Sequence, residues 1–529
     1  MTITSFSFLL FLAGTMLVFF IVPVKHRWLV LLAASLVFYV LAGSWGMAPL
    51  LVLTTAAVWW AGRKIGRLYG AAEERIAQEK PDREGKKQLR AEAKKQAKRV
   101  LVLTLVLAVG ILVIVKMTRI FDGFFGGIYE ALTSRVPGAA LILLVPLGIS
   151  YYTFSTVGYL LDVYWKRYEP EESFPRFLLY AVYFPHIVQG PISRYNLLGQ
   201  ELKKELRYDR TRVAYGMQLM VWGFFKKLVI ADRVAIYVRT VYDGHDHPGS
   251  IFLLAMLLDA FQIYTDFSGY MDIALGASQI FGVKMEENFN HPFFSKTVAE
   301  FWRRWHMSLG SWFRDYVYTP ISMSGWMKSL NKWNKNHTSE GFARFVKVAV
   351  PVMITWFLTG LWHGTGKTYV AWGLYYGTLI TLSEVLQPFF AWLNRTLRIR
   401  TEARSFQVFR MLRTFCIFMG GRVLTSPGWL RYTLRVLQSI LLNLQPWKWF
   451  DGSIFLYGLD LNNFLVAAAG MLLVWAVSML QERGCVRDML ARQNLVVRWL
   501  IIYAAVFAVL IFGIYGPNYD ASQFIYMQF

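Results

Sequence analysis

Long apolar runs separated by short polar loops divide this sequence of 529 residues. Hydrophobic residues make up 56% of the chain, above the roughly 45–50% that is typical of soluble proteins. Several runs approach the length of about 20 residues that a helix needs to cross a bilayer. The sequence therefore predicts an all-α, polytopic integral membrane protein. The predicted apolar segments are residues 6–24, 28–45, 47–61, 100–115, 139–164, 177–188, 213–237, 251–264, 271–281, 346–362, 368–390, 411–423, 464–479 and 495–515.

Several segments are short for a straight passage through a bilayer. The pattern therefore predicts a range for the number of crossings. We expect about 9–12 transmembrane helices. Short segments are interpreted as re-entrant, which is tolerated where protein or a cavity shields the backbone. Two cysteines in the whole chain argue against a disulfide framework and a thiolate metal site.

The chain is basic, with 56 Lys and Arg against 33 Asp and Glu and a net charge of +23. The positive charge lies in loops between apolar runs, as it does in membrane proteins whose basic loops stay in the cytoplasm. No nucleic-acid recognition module accompanies the charge, so nucleic acid is not predicted as a partner. The spacing of the basic loops predicts an N-terminus outside the cell and a cytoplasmic segment at 63–99.

Four regions follow from composition. Residues 63–99 are rich in strong helix formers and predict a charged cytoplasmic insert, either one solvated helix or a helical hairpin. Residues 429–449 mix Leu, Arg and aromatic side chains, as an interfacial amphipathic helix does. The predicted regions are residues 1–62 with N-terminal spans, 63–99 with the charged insert, 100–390 with the core that holds the polar motifs, and 391–529 with C-terminal spans and the amphipathic segment.

Residues 301–320 combine strong polarity with many aromatic side chains between apolar runs. Such polarity is costly in a membrane unless it is used or satisfied. His306 lies among Trp302 and Trp305, and a helix over 301–318 would place these three side chains on one face. No metal site is predicted. His245 and His247 share a polar loop with two aspartates, but a solvated loop is favoured because no ligand pair is anchored on a helix.

His363 ends a second apolar run, in the sequence Thr359-Gly360-Leu361-Trp362-His363-Gly364. Small glycines permit a substrate to approach the backbone closely. A histidine at membrane depth is a candidate for function, and an imidazole titrates near neutral pH, which suits it to take a proton from a hydroxyl. The alternative for both His306 and His363 is a hydrogen-bonded packing role.

Asp266 and Asp272 lie in a further polar stretch of the chain. These carboxylates are expected to pair with Arg303, Arg304 or Arg314. A structural ion pair is at least as consistent with the sequence as a catalytic acid. No nucleophile elbow, phosphate loop or zinc-protease motif occurs.

The motif Phe301-Trp-Arg-Arg-Trp-His306-Met-Ser-Leu, followed by Trp312-Phe-Arg-Asp-Tyr, resembles the signature of the membrane-bound O-acyltransferase family. Gly360-Leu-Trp-His363-Gly resembles its second motif. The bacterial branch of alginate O-acetyltransferases and teichoic acid D-alanyl transfer proteins is the most similar. Weaker matches, in family order, are Pro146-Leu-Gly-Ile-Ser-Tyr-Tyr-Thr-Phe, Phe184-Pro-His-Ile-Val-Gln-Gly-Pro-Ile, Tyr264-Thr-Asp-Phe-Ser-Gly-Tyr, Asn288-Phe-Asn-His-Pro-Phe and Phe524-Ile-Tyr-Met-Gln-Phe.

The resemblance implies a ring of helices around a central funnel or tunnel, in the bacterial cytoplasmic (inner) membrane. It implies catalytic roles for His363 and His306 and an acyl donor reached from the cytoplasm. No cofactor is expected to be bound, and the donor would be acetyl-CoA or the phosphopantetheine thioester of an acyl carrier protein. The residues expected to bind substrate are Trp302, Arg303, Trp305, Trp312, Arg314, Asp315, Trp362, Asp266, Ser268, Asn288 and Gln189.

The partners that the resemblance implies are the lipid bilayer, a polysaccharide acceptor, an extracytoplasmic esterase-like acyltransferase and a cytoplasmic acyl carrier protein. The expected activity is transfer of an acetyl or similar short acyl group to a hydroxyl outside the cytoplasm. Transfer of D-alanine to teichoic acid from a carrier protein is the alternative within the class. A polysaccharide exporter and a scaffold for a secretion complex are alternatives from other classes, but neither requires two histidines in Trp-flanked motifs.

Overall fold

The computed structural model describes residues 1–117, 148–244, 246–364, 366–425 and 430–515. Within these ranges the chain is almost entirely helical, and its strand-like pairing is limited to one isolated bridge between Phe289 and Trp305. The all-α prediction is confirmed. Several sequence features lie outside the described residues: the segment 121–138, the start of the predicted span 139–164, His245, Trp429 and the motif at 524–529.

Two compact units make up the chain. The first contains Met1–Gly216 and Ala274–Glu286, and the second contains Met217–Ile273 and Glu287–Phe529. The two units are defined by compactness, whereas the four predicted regions are defined by composition. The units therefore do not test the four regions, which stay a prediction.

The helices of the N-terminal part begin with an apolar pair and a long hairpin. They are α1 (Phe6–Ile21), α2 (Arg27–Tyr39), α3 (Ala48–Glu79), α4 (Arg83–Met117), α5 (Ile149–Tyr164), α6 (Phe174–Val182), α7 (Phe184–Ile187), α8 (Arg210–Phe224), α9 (Asp232–Asp243) and α10 (Gly249–Phe281). Wider π-helical turns occur at Val40–Ser44, Tyr195–Gly199 and Phe225–Ala231.

The remaining helices are mostly in the second unit, and short ones lie next to the motif at 301–320. They are α11 (Val298–Arg304), α12 (Met307–Phe313), α13 (Thr319–Met323), α14 (Gly325–His337), α15 (Glu340–His363), α16 (Lys367–Val385), α17 (Gln387–Thr396), α18 (Arg404–Val423), α19 (Leu430–Leu442), α20 (Leu461–Gln481), α21 (Val486–Ala491) and α22 (Leu495–Phe512). A π-helical turn spans Arg314–Tyr318, and short 3₁₀ turns lie at Val24–His26, Trp45–Met47, Pro292–Phe294, Pro446–Trp449 and Ser453–Leu456.

Six of the described helices are long and apolar enough to cross a membrane: Val24–Gly43, Arg83–Val115, Gly249–Phe281, Glu340–His363, Leu461–Gln481 and Leu495–Phe512. Helix α1 is equally apolar but has only 16 residues. The polytopic prediction is confirmed. The expected 9–12 crossings and the ring around a funnel stay predictions.

The charged insert is a helical hairpin, which is one of the two forms predicted for it. Helix α3 ends at Lys80, whose φ of 44° is left-handed, and Pro81 follows before α4 turns back. Ile65, Ala72 and Ile76 on α3 are buried, and so are Ala93 and Ala97 on α4. Spacings of three, four and seven residues bring such side chains to one helix face, so the hairpin closes on a narrow apolar seam and its charged residues stay exposed.

Four predicted segments are divided or joined differently in the structure. Segments 251–264 and 271–281 are one 33-residue helix, α10. The polar residues between them do not end the helix because they have partners; Thr265, for example, donates to the carbonyl of Phe261 at 2.8 Å.

Segment 213–237 is interrupted by the π-helical turn Phe225–Ala231. Segment 177–188 breaks at Tyr183, whose ψ of 115° is outside the helical range. Pro185 follows in the first turn of α7, because a proline there has no helical hydrogen bond to lose. The resulting helices, α6 and α7, are too short to cross a bilayer.

In the second unit, α15 and α16 form a close antiparallel hairpin. A Cβ atom on Gly360 would lie 2.5 Å from the carbonyl oxygen of Tyr369, and one on Gly373 would lie 2.4 Å from that of Trp356. No side chain fits at such distances, so glycine is needed at both positions for the backbones to touch. This contact fixes the end of α15, where His363 lies, against the start of α16.

Candidate active site

The stretch 301–318 is not one helix, so the predicted single face is wrong. Helix α11 ends at Arg304, Trp305 is extended with φ −110° and ψ 128°, and His306 is left-handed with φ 47° and ψ 53°. Helix α12 starts at the next residue. The change from extended backbone at Trp305 to left-handed backbone at His306 turns the chain. A pattern of helical spacing does not reveal this change.

The segment 288–290 forms backbone hydrogen bonds with this turn. The N–H of Met307 donates to the carbonyl of Asn288 at 3.0 Å, and the N–H of Asn290 donates to the carbonyl of Arg304 at 2.9 Å. Since left-handed non-glycine residues are enriched in Asn, Asp and His, histidine is among the residue types that tolerate this position.

The imidazole of His306 is buried, with 3% of the residue exposed. Its ring centroid lies 4.8 Å from that of Phe267, in an edge-to-face arrangement, and 6.0 Å from that of Trp362. The ring is thus held between aromatic side chains from two other helices.

His363 is the last residue of α15. Its ring lies 4.7 Å from that of Trp362 and 5.0 Å from that of Trp372, both nearly perpendicular. The C-terminus of a helix stabilises a positive charge. His363 therefore lies at the negative end of the α15 dipole, beside two indole rings.

His306 and His363 line the same cavity, whose volume is about 680 Å³. Six residues on one face of α15, from Val348 to His363, contribute to its wall. At 1.5 Å per residue the cavity follows this helix for about 22 Å. Besides His306 and the residues of α15, the polar or aromatic lining residues are Trp302, Arg303, Trp305, Ser311, Phe313, Arg314, Tyr318, Tyr369, Trp372, Glu384, Phe418, Arg422 and Thr425.

Of the predicted substrate-binding residues, Trp302, Arg303, Trp305 and Arg314 line this cavity together with the two histidines. Trp302 packs in a cluster with Trp372 and Tyr376. The buried indole Nε1 of Trp302 has no hydrogen-bond partner among the residues that the structure describes. A buried donor without a partner costs free energy, so this N–H is available to a bound ligand.

Other predicted residues lie near the cavity without lining it. Trp362 contacts the rings of both histidines. Trp312 is buried and packs on Phe313 and Tyr316. Asp315 accepts from the Nε of Arg314 at 2.9 Å.

Asn288 contacts the chain at His306 rather than the cavity, and it accepts from the N–H of Ser308 at 3.0 Å. Gln189 belongs to the first unit, where 2% of it is exposed. Their expected roles in binding substrate stay predictions.

The expected pairing of Asp266 and Asp272 with arginines is wrong. Asp266 pairs with Lys227 at 2.7 Å and Asp272 with Lys226 at 2.7 Å. Both lysines lie on the π-helical turn Phe225–Ala231, whose wider winding brings two consecutive lysines to the face of α10. Ser268 accepts from Lys226 at 2.9 Å. These residues form a buried charge network, which is the structural interpretation that the sequence left open.

The arginines of the motif have other neighbours. Arg304 pairs with Glu300 at 3.0 Å, one helical turn away, and with Glu482 at 3.6 Å. Arg314 is well exposed, with 63% of its side chain accessible. Arg303 is exposed as well. The two exposed arginines give the cavity a cationic border.

Sequence reasoning missed Arg422. Its Nε and Nη2 donate to the two carboxylate oxygens of Asp259 at 3.1 and 2.8 Å, and both residues are buried. Its Nη1 donates to Thr425 at 3.2 Å. The signal was present, because an arginine within a predicted span marks a functional or paired residue by default.

Among the described residues no group of three or more His, Cys, Asp or Glu side chains is arranged to hold a metal ion. His247 packs edge-on against Phe252 and Tyr457. His245, the other histidine of that loop, lies outside the described residues.

Comparison with known proteins identifies relatives of this sequence. The sequence model of the membrane-bound O-acyltransferase family matches residues 170–425, which include both histidines. The protein named "Probable alginate O-acetylase AlgI" from Pseudomonas aeruginosa is 31% identical over 423 residues, which cover 79% of this chain and 70% of that protein. Its namesake from Azotobacter vinelandii is 29% identical over 418 residues, 78% of this chain and 72% of that protein.

A second kind of relative aligns over a smaller part of this chain. The teichoic acid D-alanyltransferase of Bacillus subtilis is 34% identical over 238 residues, 44% of this chain and 58% of that protein.

The chain is an all-α polytopic membrane protein with two histidines on one cavity. With the similarities above, this chain belongs to the membrane-bound O-acyltransferase family, and it is an O-acyltransferase.

Proposed function

We propose that this protein transfers an acetyl group from a cytoplasmic thioester to a hydroxyl outside the cytoplasm. The acceptor is a polysaccharide, or a secreted esterase-like transferase that passes the group on. The observation that carries the proposal is the shared cavity of His306 and His363. The two relatives named as alginate O-acetylases align with this chain over 72% and 70% of their own length. Their names support acetyl as the acyl group.

The reaction needs positioning more than driving force, because a thioester is already activated. The acceptor hydroxyl oxygen attacks the thioester carbonyl carbon, a carbon–oxygen bond forms and the carbon–sulfur bond breaks. The hydroxyl proton passes to His363, and the departing thiolate then takes a proton from the His363 imidazolium. Correct placement of the two reactants contributes about 7–11 kcal/mol.

His363 is assigned as the general base. Its neutral imidazole accepts the hydroxyl proton and becomes an imidazolium, and such catalysis contributes about 10²–10⁴ in rate. The wall around His306 would orient the thioester. The unpartnered Nε1 of Trp302 is suited to donate to the oxyanion that develops on the carbonyl oxygen.

Acetyl-CoA and an acyl carrier protein both present the acyl group on a phosphopantetheine arm. Arg303 and Arg314 border the cavity with exposed guanidinium groups, which suit the phosphates of such a donor. The length of the cavity along α15, about 22 Å, suits an extended arm. The basic hairpin of α3 and α4 supports a cytoplasmic side for the donor, in a bacterial cytoplasmic membrane.

Transfer of D-alanine to teichoic acid is the second candidate. The observation in its favour is the 34% identity to a teichoic acid D-alanyltransferase. Aligned coverage favours acetyl transfer, because the alginate relatives extend over 78–79% of this chain and the D-alanyl relative over 44%.

Sided membrane vesicles test the proposal. Inverted and right-side-out vesicles from producing cells receive ¹⁴C-acetyl-CoA in the external medium, and the label on lumenal or external polysaccharide is counted. The proposal predicts labelling only in inverted vesicles, where the cytoplasmic face is outside. Transfer of label from ¹⁴C-D-alanine that requires its carrier protein, with none from ¹⁴C-acetyl-CoA, would favour the second candidate, and polymer movement without any acyl transfer would favour an exporter.

A further inference from the structure

The turn that carries His306 is held by a segment that the proposed chemistry does not use. Residues 288–290 run antiparallel to residues 304–307 and form the one isolated bridge among the described residues, between Phe289 and Trp305. Backbone hydrogen bonds flank the bridge on both sides, from Asn290 to Arg304 at 2.9 Å and from Met307 to Asn288 at 3.0 Å.

Helix α12 starts directly after His306 and obtains no cap from it. The side chain of His306 makes no capping hydrogen bond, since a left-handed residue cannot aim its side chain at the first helical N–H groups as an extended N-cap does. Those N–H groups are satisfied by Asn288 instead. Its carbonyl accepts from Met307, and its side-chain Oδ1 accepts from Ser308 at 3.0 Å.

Asn288 is itself fixed from the other side. Only 1% of it is exposed, and its Nδ2 donates to the sulfur of Met271 on α10 at 3.2 Å. The same helix presents Phe267, which packs against the His306 ring at 4.8 Å. Helix α10 therefore contacts both the imidazole and the residue that holds its backbone.

We infer that Asn288 is a positioning residue for the transfer reaction, acting as an N-cap that a separate segment supplies to α12 and so holding His306 in its left-handed conformation on the cavity wall. It does not touch the cavity and binds no substrate in this assignment, which replaces the substrate-binding role predicted from its motif. The inference rests on the proposed role of His306 in the reaction.

The expected consequence is a loss of rate rather than of donor binding. Without the Oδ1 acceptor the N–H of Ser308 loses its hydrogen bond to residue 288, and the turn relaxes. A displacement of about 1 Å at a catalytic group costs roughly 10²-fold in rate. We therefore expect Asn288→Ala to lower kcat for acetyl transfer from acetyl-CoA about 10²-fold, with little change in KM for acetyl-CoA.

Two variants act as matched comparisons. Asn288→Asp keeps an oxygen that can accept from Ser308, but it loses the Nδ2 donor to Met271 and buries a charge, so it should recover only part of the kcat lost in Asn288→Ala. Asn290→Ala alters the same residue type two positions away, where the side chain is exposed and only the backbone N–H contributes. It should behave as wild type.

A double-mutant cycle decides whether Asn288 acts through His306. Activity is measured in inverted vesicles at equal amounts of inserted protein for wild type, Asn288→Ala, His306→Ala and the double variant. If Asn288 acts only by placing His306, the double variant is no slower than His306→Ala, since coupled residues are non-additive. Independent losses that multiply would overturn the inference, and so would wild-type kcat in Asn288→Ala.

Two further outcomes are separable. If Asn288→Ala does not insert, Asn288→Ser carries the test, because its shorter side chain leaves the N–H of Ser308 unreached and should show the same loss of kcat. A wild-type protein that transfers no acetyl would count against the proposed function, whereas an active wild type with a silent Asn288→Ala counts against the positioning role alone.

Discussion

His306 and His363 face one cavity from separate segments of the chain, and the indole of Trp362 contacts both imidazoles, at 6.0 and 4.7 Å between ring centroids. Each histidine is placed by a backbone feature rather than by helical periodicity. His306 sits in a left-handed turn, and His363 ends a helix that glycines hold against its neighbour. Because both histidines line the same cavity, the proposed reaction is assigned to this cavity.

Trp302→Phe should separate the role of the indole N–H from that of the ring. Phenylalanine keeps an aromatic side chain in the cluster but removes the donor that has no partner among the described residues. Loss of one oxyanion donor costs about 10²–10³ in kcat. We expect a decrease of that size, measured as the initial rate of acetyl transfer, with stability unchanged or slightly improved because an unsatisfied buried group is removed.

Trp356→Phe is the control for that variant. Its ring lies 5.1 Å from that of Trp302 in the same cluster and also lines the cavity. It should keep most activity. Equal losses in the two variants would mean that ring volume, not the Trp302 donor, matters.

Substitutions at His306 should report on the left-handed turn. His306→Val places a β-branched residue at φ 47°, and a left-handed conformation costs non-glycine residues about 1–2 kcal/mol. His306→Asn substitutes a residue that tolerates this conformation. The thermal stability of the purified protein in detergent should therefore be lower for the Val variant than for the Asn variant, and equal stabilities would argue against a constrained turn.

The buried pair of Asp259 and Arg422 should be essential to the stability of the cavity wall. Asp259→Asn leaves the Arg422 charge without its carboxylate, and removing one partner of a buried pair costs about 3–5 kcal/mol. Replacing both residues, as Asp259→Leu with Arg422→Met, should cost less than the single change. The comparison is made by thermal unfolding in detergent, and a single variant as stable as wild type would contradict the assignment.

Glu171 in the first unit should make stability depend on pH. Burial alone would raise the pKa of its carboxyl, but Lys203, Tyr195 and the N–H of Ser173 donate to the carboxylate and hold the pKa below its usual value. The contribution is complete above the unfolded pKa of about 4.3 and is lost as the pH falls through the lower folded value.

We expect Glu171→Gln to lower the free energy of unfolding by about 1–3 kcal/mol at pH 7 and to flatten its decline in acid. Glu172→Gln, at an exposed neighbour, should change neither. Thermal unfolding between pH 3 and pH 8 (a range that brackets the carboxyl pKa of about 4.3) measures both effects.

Composition and motif order were sufficient to predict the helical class, the membrane and the family, and they singled out the two histidines that line one cavity. Apolar runs identify helices because burial in lipid needs a continuous apolar surface. For residues 63–99 the helix-forming composition predicted helix but left one helix and a hairpin both open. Where the chain follows periodicity, the sequence was a good guide.

The sequence did not reveal features that depend on long-range partners. The break at Trp305 and His306 requires the segment at 288–290, which no local pattern indicates. The pairing of Asp266 with Lys227 depends on a π-helical turn that redirects two lysines. Arg422 reaches the cavity only because Asp259, on another helix, compensates its charge.

The most direct test of the account is acetyl transfer by His363→Ala in inverted vesicles supplied with ¹⁴C-acetyl-CoA. His337→Ala, which alters an exposed histidine on α14, is the matched control, and all proteins are compared at equal membrane content and equal thermal stability. The account predicts that the control transfers at the wild-type rate and that His363→Ala loses about 10²–10⁴ in rate while still folding and inserting. Transfer by His363→Ala at the wild-type rate would contradict the assignment of His363 as the base.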